Sequence, residues 1–330
     1  MLVAHRPADV PYEKNSVVSV GSFDGVHRAH QQVIREVVRR AAARGGRSVI
    51  VTFDPHPKQV LHSSQEIRLL STLEERRRIS EDLGVEVFFV IEFTYEFSRQ
   101  SFREFYEKYI VHGTGVSEVV EGYDHHFGRD REGSVRELRQ MGTELDFSVV
   151  TVEPVSMDGE VVNSTAIRHH LQQGNVERAA ELLGWPYGIE GAVVHGDGRG
   201  RQLGFPTANI APLDAAKMIP ANGVYVARVN WEGQVAYGLV NVGIRPTFGA
   251  SGARTMETYV LEYEGDLYGR RLSVEFLRRL RDETKFDSAE ALVRQMNIDK
   301  EQGLTIVREY QKTSSVPRDR EASKNQKSHH

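Results

Sequence analysis

Two stretches of this chain combine residue types that can handle phosphate. The first runs Gly21-Ser22-Phe23-Asp24-Gly25-Val26-His27-Arg28-Ala29-His30. Val17, Val18 and Val20 ahead of it read as a buried strand, and Val33, Ile34, Val37, Val38 and Ala41 after it share one face of a helix beginning at Arg28. A turn between strand and helix leaves the first helical N–H groups unpaired and facing the turn, which favours an anion there. His27 and His30, three apart at that end, face one way and can donate to triphosphate oxygens. Negative charge grows on the bridging oxygen as pyrophosphate leaves an α-phosphorus, so donors placed there stabilise the transition state. A capped helix with two surface histidines explains the same residues more simply. The His-Glu-x-x-His spacing of a zinc site is absent.

The second stretch joins the loop His195-Gly196-Asp197-Gly198-Arg199-Gly200-Arg201 to Gly204-Phe205-Pro206-Thr207-Ala208-Asn209. Gly198, Gly200 and Gly204 allow positive φ and close approach of backbone to a ligand. Arg199 and Arg201 present planar forks to phosphate oxygens. Thr207 and Asn209, two apart in an extended segment, turn their oxygens to one side, as a Mg²⁺ ion bridging phosphates requires. A hairpin loop with Pro206 ending a strand and Asn209 turning locally fits equally well. The residues alone leave both open.

The elements that must carry these stretches alternate in the first half of the chain. Ser48–Phe53, Val85–Phe93, Ser117–Glu121 and Phe147–Glu153 read as strands, and Leu73–Leu83 as a helix. Ser101-x-x-Glu104 is a capping box opening a helix striped with Phe102, Phe105, Tyr106, Tyr109 and Ile110. Such alternation predicts a parallel sheet covered by helices, with a ligand crevice at the carboxyl ends of the strands. Helices at Ser164–Gln172 and Val176–Leu183 close this half. Between Ile189 and Phe276 the pattern changes to short strands punctuated by glycine, at 224–230, 235–242, 258–263 and 271–277, which predicts an antiparallel barrel. Asp287-x-x-Glu290 caps a final helix through about Tyr310. Lys312–His330 contains only Val316 as a large apolar residue and is expected to be a disordered tail.

Composition sets outer bounds. The 330 residues suffice for two domains, and a net charge of −4 gives no bias toward nucleic acid. With no cysteine there is neither a disulfide nor a thiol nucleophile. No apolar run approaches the roughly 18 residues of a membrane span, and Met1–Pro11 lacks the apolar core of a signal peptide. A cytoplasmic protein with no membrane partner is expected.

The ten-residue string at Gly21–His30 resembles the Gly-x-Phe-Asp-Gly-x-His-x-Gly-His motif of nucleotidyltransferases that make FAD, with Ala29 in place of a glycine. Thr52-Phe53-Asp54-Pro55-His56-Pro57 is similar to a stretch of that family's flavin-side pocket. Gly122-Tyr123-Asp124-His125-His126-Phe127-Gly128 resembles Gly-x-Asp-Phe-Arg-Phe-Gly, with His125 and His126 replacing phenylalanine and arginine. Asn163-Ser164-Thr165-Ala166-Ile167-Arg168 resembles Ser-Ser-Thr-x-Ile-Arg, and it also reads as a helix cap. In the second half, Gly204–Asn209, Asn222-Gly223-Val224-Tyr225 and Val240–Gly249 resemble riboflavin kinase, whose catalytic glutamate corresponds to Glu257. Phe276–Glu283 is similar to a family loop near the flavin.

From about residue 15 to 311 the chain therefore resembles the bacterial bifunctional riboflavin kinase/FAD synthetase family. The resemblance implies an α/β Rossmann-like nucleotidyltransferase domain over 1–185, an antiparallel β-barrel of riboflavin kinase type with a terminal helix over 186–311, and the tail over 312–330. It implies phosphorylation of riboflavin to FMN and then adenylylation of FMN to FAD, both using ATP with Mg²⁺. Glu257, His27 and His30 would be catalytic. Gly21, Phe23, Asp24, Gly25, Ser164, Thr165 and Arg168 would join the histidines in binding ATP at the first site, with Pro55, His56, Pro57, Asp124 and Phe127 on the FMN side. At the second site Gly198, Arg199, Gly200, Arg201, Gly204, Thr207 and Asn209 would bind ATP, Thr207 and Asn209 would hold the metal, and Arg278 and Arg281 would lie beside the flavin. Riboflavin, FMN and ATP are the expected partners, with room for a homo-oligomer. Because Ala29, His125, His126 and Asn163 all depart from the pattern in the first half, a kinase-only enzyme is the nearest alternative. A flavin-binding regulator without turnover is the other. Cytidylyl- or pantetheine-type transferases leave the second half unexplained.

Overall fold

The valine run at Val17–Val20 is buried on both faces, as a central strand of a parallel sheet must be. The computed structural model describes residues 1–61, 67–123, 134–196, 200, 203–244 and 254–314. These fall into two units. The first comprises Met1–His169, Glu181–Trp185 and Ala216–Met218. The second takes His170–Ala180, Pro186–Ala215 and the chain from Ile219.

In the first unit six strands pair in parallel: β1 (Leu2–Ala4), β2 (Ser16–Val20), β3 (Ser48–Asp54), β4 (Val87–Glu92), β5 (Val116–Gly122) and β6 (Ser148–Val152). Their order is β1-β4-β3-β2-β5-β6, and β7 (Ser156–Met157) and β8 (Glu160–Val161) form a separate antiparallel hairpin. The chain steps from β2 through β3 to β4 on one side, then crosses to β5 and β6 on the other. That places the topological switch between β2 and β5, where open α/β sheets bind ligands. Alternate residues serve opposite faces. Val18, Val20, Val49, Val51 and Phe89 pack with Phe102, Phe105 and Tyr106, while Val17, Ile50 and Phe88 pack with Val33, Ile34 and Val37 of the helix Arg28–Ala43.

Three features differ from expectation. β1, only three residues long, pairs with β4 and carries too short a pattern to be read. Ser134 and Glu137 form a capping box for a further helix, Val135–Leu145, beyond the expected elements. The aromatic helix is broken: Phe102–Phe105 is α-helical, Tyr106–Val111 is a π turn and His112–Thr114 completes it. The wider π turn changes the angular spacing of the stripe, and Tyr109 is only partly buried while Phe102, Phe105, Tyr106 and Ile110 are buried in the core.

The second unit is a closed antiparallel barrel of β9 (Gly188–Val194), β10 (Ala208–Pro212), β11 (Gly223–Trp231), β12 (Gln234–Ile244), β13 (Arg254–Val260) and β14 (Arg271–Arg281), in the order β10-β13-β12-β11-β14-β9. Strands β9 and β10 were not individually expected, and β13 lies earlier than the predicted 258–263. Trp231 pairs with Gln234 across a two-residue turn, Glu232-Gly233, with φ of 46° and 78°, the twist-matched hairpin connection. Tyr225, Ala227, Val240, Met256 and Phe276 are buried. Val226, Leu239 and Leu261 pack instead with Val307 of the terminal helix Ala289–Ser314. That helix continues past Lys312, where the tail was expected to begin; the remainder lies outside the described residues.

Ala216–Met218 contributes one buried cation to the first unit. Lys217, 2% exposed, donates to the Leu70 carbonyl at 2.8 Å and pairs with Glu75, whose carboxylate also accepts the Thr72 N–H. Removing one partner of a buried pair strands the other charge. Lys217→Met is expected to destabilise this unit by about 3–5 kcal/mol, measured as a lowered midpoint in urea with an unchanged m-value.

Candidate active sites

The first site opens at the carboxyl ends of the parallel strands as a cavity of about 1170 Å³. Gly21, Phe23, His27, His30, His56, Pro57, Ser164 and Thr165 line it together, although they come from three separated stretches. Phe53, Phe93, Tyr95 and Tyr123 add aromatic faces. His27 caps the helix Arg28–Ala43, its Nδ1 accepting the His30 N–H at 3.3 Å. The two imidazoles stack with centroids 3.6 Å apart, and Phe23 meets His30 edge-on at 5.2 Å.

Asp24, Gly25, Arg168 and Pro55 do not line this cavity. The Asp24 carboxylate, on a residue 2% exposed, accepts from the Leu70 and Ser71 N–H groups at 2.9 Å each and pairs with Arg168. Arg168 also donates from Nε to the Arg68 carbonyl at 3.0 Å, and the Ser164 hydroxyl donates to the Asp24 carbonyl at 3.0 Å. This network stands behind the wall and ties the glycine turn to the helix Ser164–Gln172. Gly25 has φ of 89°, and a Cβ there would meet Leu70 at 3.0 Å, so conformation and space both call for glycine. Asp124 and Phe127, with His125 and His126, lie outside the described residues.

Two departures from the family pattern have a physical reading. Asn163 keeps the cap: its Oδ1 accepts the Ala166 N–H at 2.8 Å, as a serine hydroxyl could. Ala29 lines the cavity and adds one methyl to its wall.

The second site is a cavity of about 390 Å³ on the outer face of the barrel. Met256 and Thr258 are buried, so alternation turns Glu257 outward between them. Strand pairing sets Asn209 of β10 and Asn241 of β12 on either side of Glu257, one row across three strands. All three line the cavity with Thr207, Gly200 and Arg281, and with Leu292 and Met296 of the terminal helix. A Cβ on Gly196 would fall 2.0 Å from Asn209 Nδ2, and one on Gly200 would fall 2.4 Å from the Phe205 carbonyl. Gly196 lies that close to Asn209, and Gly200 to Phe205. Gly198, Arg199 and Arg201 lie outside the described residues, and Gly204 (φ 82°) shapes the turn without lining the cavity. Arg281 is held by Asp299, with Nη2 to Oδ2 at 2.7 Å. Arg278 pairs with Glu177 at 3.0 Å and Glu309 at 3.2 Å and does not reach the cavity.

With two such cavities on one chain, comparison with known proteins is decisive. The FAD synthetase family model matches residues 9–166 and the riboflavin kinase model residues 183–307. Bifunctional riboflavin kinase/FMN adenylyltransferases are similar: that of Listeria monocytogenes is 35% identical, covering 87% of this chain and 91% of the relative, and that of Bacillus subtilis is 35% identical, covering 88% and 92%. The chain belongs to the bifunctional riboflavin kinase/FMN adenylyltransferase family. The Escherichia coli K12 member is 32% identical over 88% of this chain and 92% of its own. A solved chain described as a macrolide-efflux protein from Streptococcus pneumoniae superposes with a TM-score of 0.83 at 33% identity, covering 91% of this chain and 97% of that one. Among the described residues no helix is long and apolar enough to cross a membrane.

Sequence reasoning assigned no role to Asn241, Asp299 or Arg76. Asn241 stands in a quoted string, but only strand pairing puts it beside Glu257. Asp299 is one acid among several on a helix.

His56 is buried, and its Nδ1 accepts the Lys58 N–H at 3.1 Å, so the neutral ring carries its proton on Nε2. Burial pushes its pKa down from 6.5 to about 4; Arg168, Arg76 and Lys58 act the same way, against Asp24. The unfolded chain therefore takes up a proton on this ring near pH 6.5 that the folded chain refuses until about pH 4. Stability attributable to His56 is complete above pH 6.5 and falls as the pH drops toward 4, by about 3 kcal/mol. His56→Gln is expected to flatten that part of the stability–pH curve, checked by urea unfolding at a series of pH values.

Proposed function

We propose that this chain makes FAD from riboflavin in two steps, with the kinase reaction in residues 186–311 and adenylyl transfer in residues 1–185. In the first step Glu257 accepts the proton of the riboflavin 5′-hydroxyl, the freed oxygen attacks the γ-phosphorus of ATP, and ADP leaves with FMN as product. Thr207 and Asn209 would hold Mg²⁺ through hard oxygen donors, a type that suits this ion, and the charge neutralisation it supplies would favour phosphoryl transfer. In the second step an FMN phosphate oxygen attacks the α-phosphorus of ATP and the bond to the departing pyrophosphate breaks. His27 and His30 donate to the oxygens on which charge accumulates, and Ser164 and Thr165 join them in binding the triphosphate. The aromatic faces of Phe53, Phe93, Tyr95 and Tyr123 suit a planar ring system.

The observation that carries this reading is the row Asn209–Glu257–Asn241 beside Thr207. A store for flavin needs no carboxylate flanked by amides next to an oxygen hook, which argues against a regulator without turnover. We place the enzyme in the cytoplasm, a reducing setting that suits a chain with no cysteine.

A chromatographic time course with riboflavin, ATP and Mg²⁺ is expected to show FMN first and FAD after it. FMN accumulating alone would leave the kinase-only alternative. Glu257→Gln is expected to lower FMN formation by about 10²–10⁴-fold while FAD still forms from supplied FMN; an unchanged rate removes Glu257 from the mechanism. His27→Ala should do the reverse, slowing FAD formation and sparing FMN.

A further inference from the structure

Phe23 has a φ of 46°, in the left-handed region. A bulky residue there is strained and persists only where its surroundings over-determine it. The surroundings that do so lie behind the cavity wall. The Ser22 carbonyl accepts from Arg76 Nη1 at 2.9 Å and from the Thr52 hydroxyl at 3.2 Å. The same Nη1 donates to Thr52 Oγ1 at 2.9 Å and to the Phe53 carbonyl at 3.1 Å. Arg76 is 1% exposed, on the helix Leu73–Asp82. So deeply buried a guanidinium is costly unless acceptors surround it, and here they are two carbonyls, a hydroxyl and, at 3.4 Å from Nη2, the Asp54 carboxylate, all at the carboxyl ends of β2 and β3.

The Ser22 C=O and the Phe23 N–H belong to one planar trans peptide and point in opposite directions. With the carbonyl drawn back toward Arg76 and Thr52, the N–H faces the other way, toward the cavity that Ser22 and Phe23 line. Among the described residues no acceptor takes this N–H. We propose that Arg76, with Thr52, is a positioning residue of the first site: by clamping the Ser22 carbonyl it aims the Phe23 N–H at a polyphosphate oxygen in the cavity. The inference rests on the adenylyl-transfer reading of that cavity. Arg76 itself does not line the cavity and acts through the peptide it holds.

The test uses the full chain labelled with ¹⁵N-phenylalanine, which gives fourteen backbone signals, with Phe23→Leu identifying the one that matters. Inorganic pyrophosphate is expected to move the Phe23 signal in the unaltered chain and in Arg76→Lys, which keeps a charged donor, but not in Arg76→Met. In parallel, kcat for FAD formation from FMN and ATP is expected to fall about 100-fold in Arg76→Met and to stay within about 10-fold in Arg76→Lys, with KM for FMN changed less than about twofold in both. A purely structural role would lower the melting temperature and leave kcat per folded molecule intact. The proposal is overturned if the Phe23 signal ignores pyrophosphate in the unaltered chain, or if folded Arg76→Met keeps kcat within about threefold. Should Arg76→Met lose its dispersed spectrum, the similarly sized Thr52→Val removes one donor from the Ser22 carbonyl. It is expected to cost about 10-fold in kcat, and an unchanged kcat overturns the proposal just as firmly. If the unaltered chain makes no FAD yet its Phe23 signal responds and Arg76→Met abolishes the response, adenylyl transfer fails while the positioning role stands.

Discussion

A backbone turn can offer its N–H groups to an anion only if the carbonyls and side chains on its other side are satisfied from within. That constraint organises the first unit. Behind the Gly21–Gly25 turn, Asp24 is buried as an acceptor for two N–H groups and Arg168, Ser71 takes the Gly25 N–H at 2.7 Å, and Arg76 with Thr52 takes the Ser22 carbonyl. The partners come from three distant parts of the chain, at Thr52, at Leu70–Arg76 and at Arg168, so the turn is set by the fold around it. Asp24, Arg168 and Arg76 accordingly serve the wall, while the stacked imidazoles of His27 and His30, with Ser164, Thr165 and a His56 that burial keeps uncharged, line the cavity.

The second unit meets a related demand through alternation. A closed barrel leaves no free edge, and its strands send every second side chain inward to the core. Glu257 faces the cavity because Met256 and Thr258 take the inward positions on either side of it. The terminal helix then covers part of the outer face, supplying Leu292 and Met296 to the cavity and Asp299 to Arg281. Once held by a buried carboxylate, Arg281 is a fixed part of the wall.

The sequence was legible where local pattern and local chemistry coincide. Valine runs, glycine stops and capping boxes located most strands and helices, and β–α alternation followed by glycine-punctuated strands gave both architectures. The two phosphate-type stretches stood out because a helix N-terminus and a glycine loop act over a few residues. Legibility ended where a residue's role depends on distant partners. Within the run Glu74-Glu75-Arg76-Arg77-Arg78, letters alone describe a solvated helix face; the fold buries Glu75 and Arg76 and leaves Arg77 to exposed pairs with Glu74 and Glu81.

By itself, then, the sequence determined the two kinds of sheet, the turns that could meet phosphate and the types of group available to act. These follow from hydrophobic period, backbone freedom and side-chain chemistry, which are properties of short segments. Only the tertiary structure decided that Asp24 and Arg168 support the wall, that Arg278 lies apart from the cavity, and that Asn209, Glu257 and Asn241 form one row. The row depends on strand order and register across up to about fifty residues of chain, and the other outcomes depend on partners more distant still and on burial costs that fall on a charge only after the rest of the molecule has closed around it.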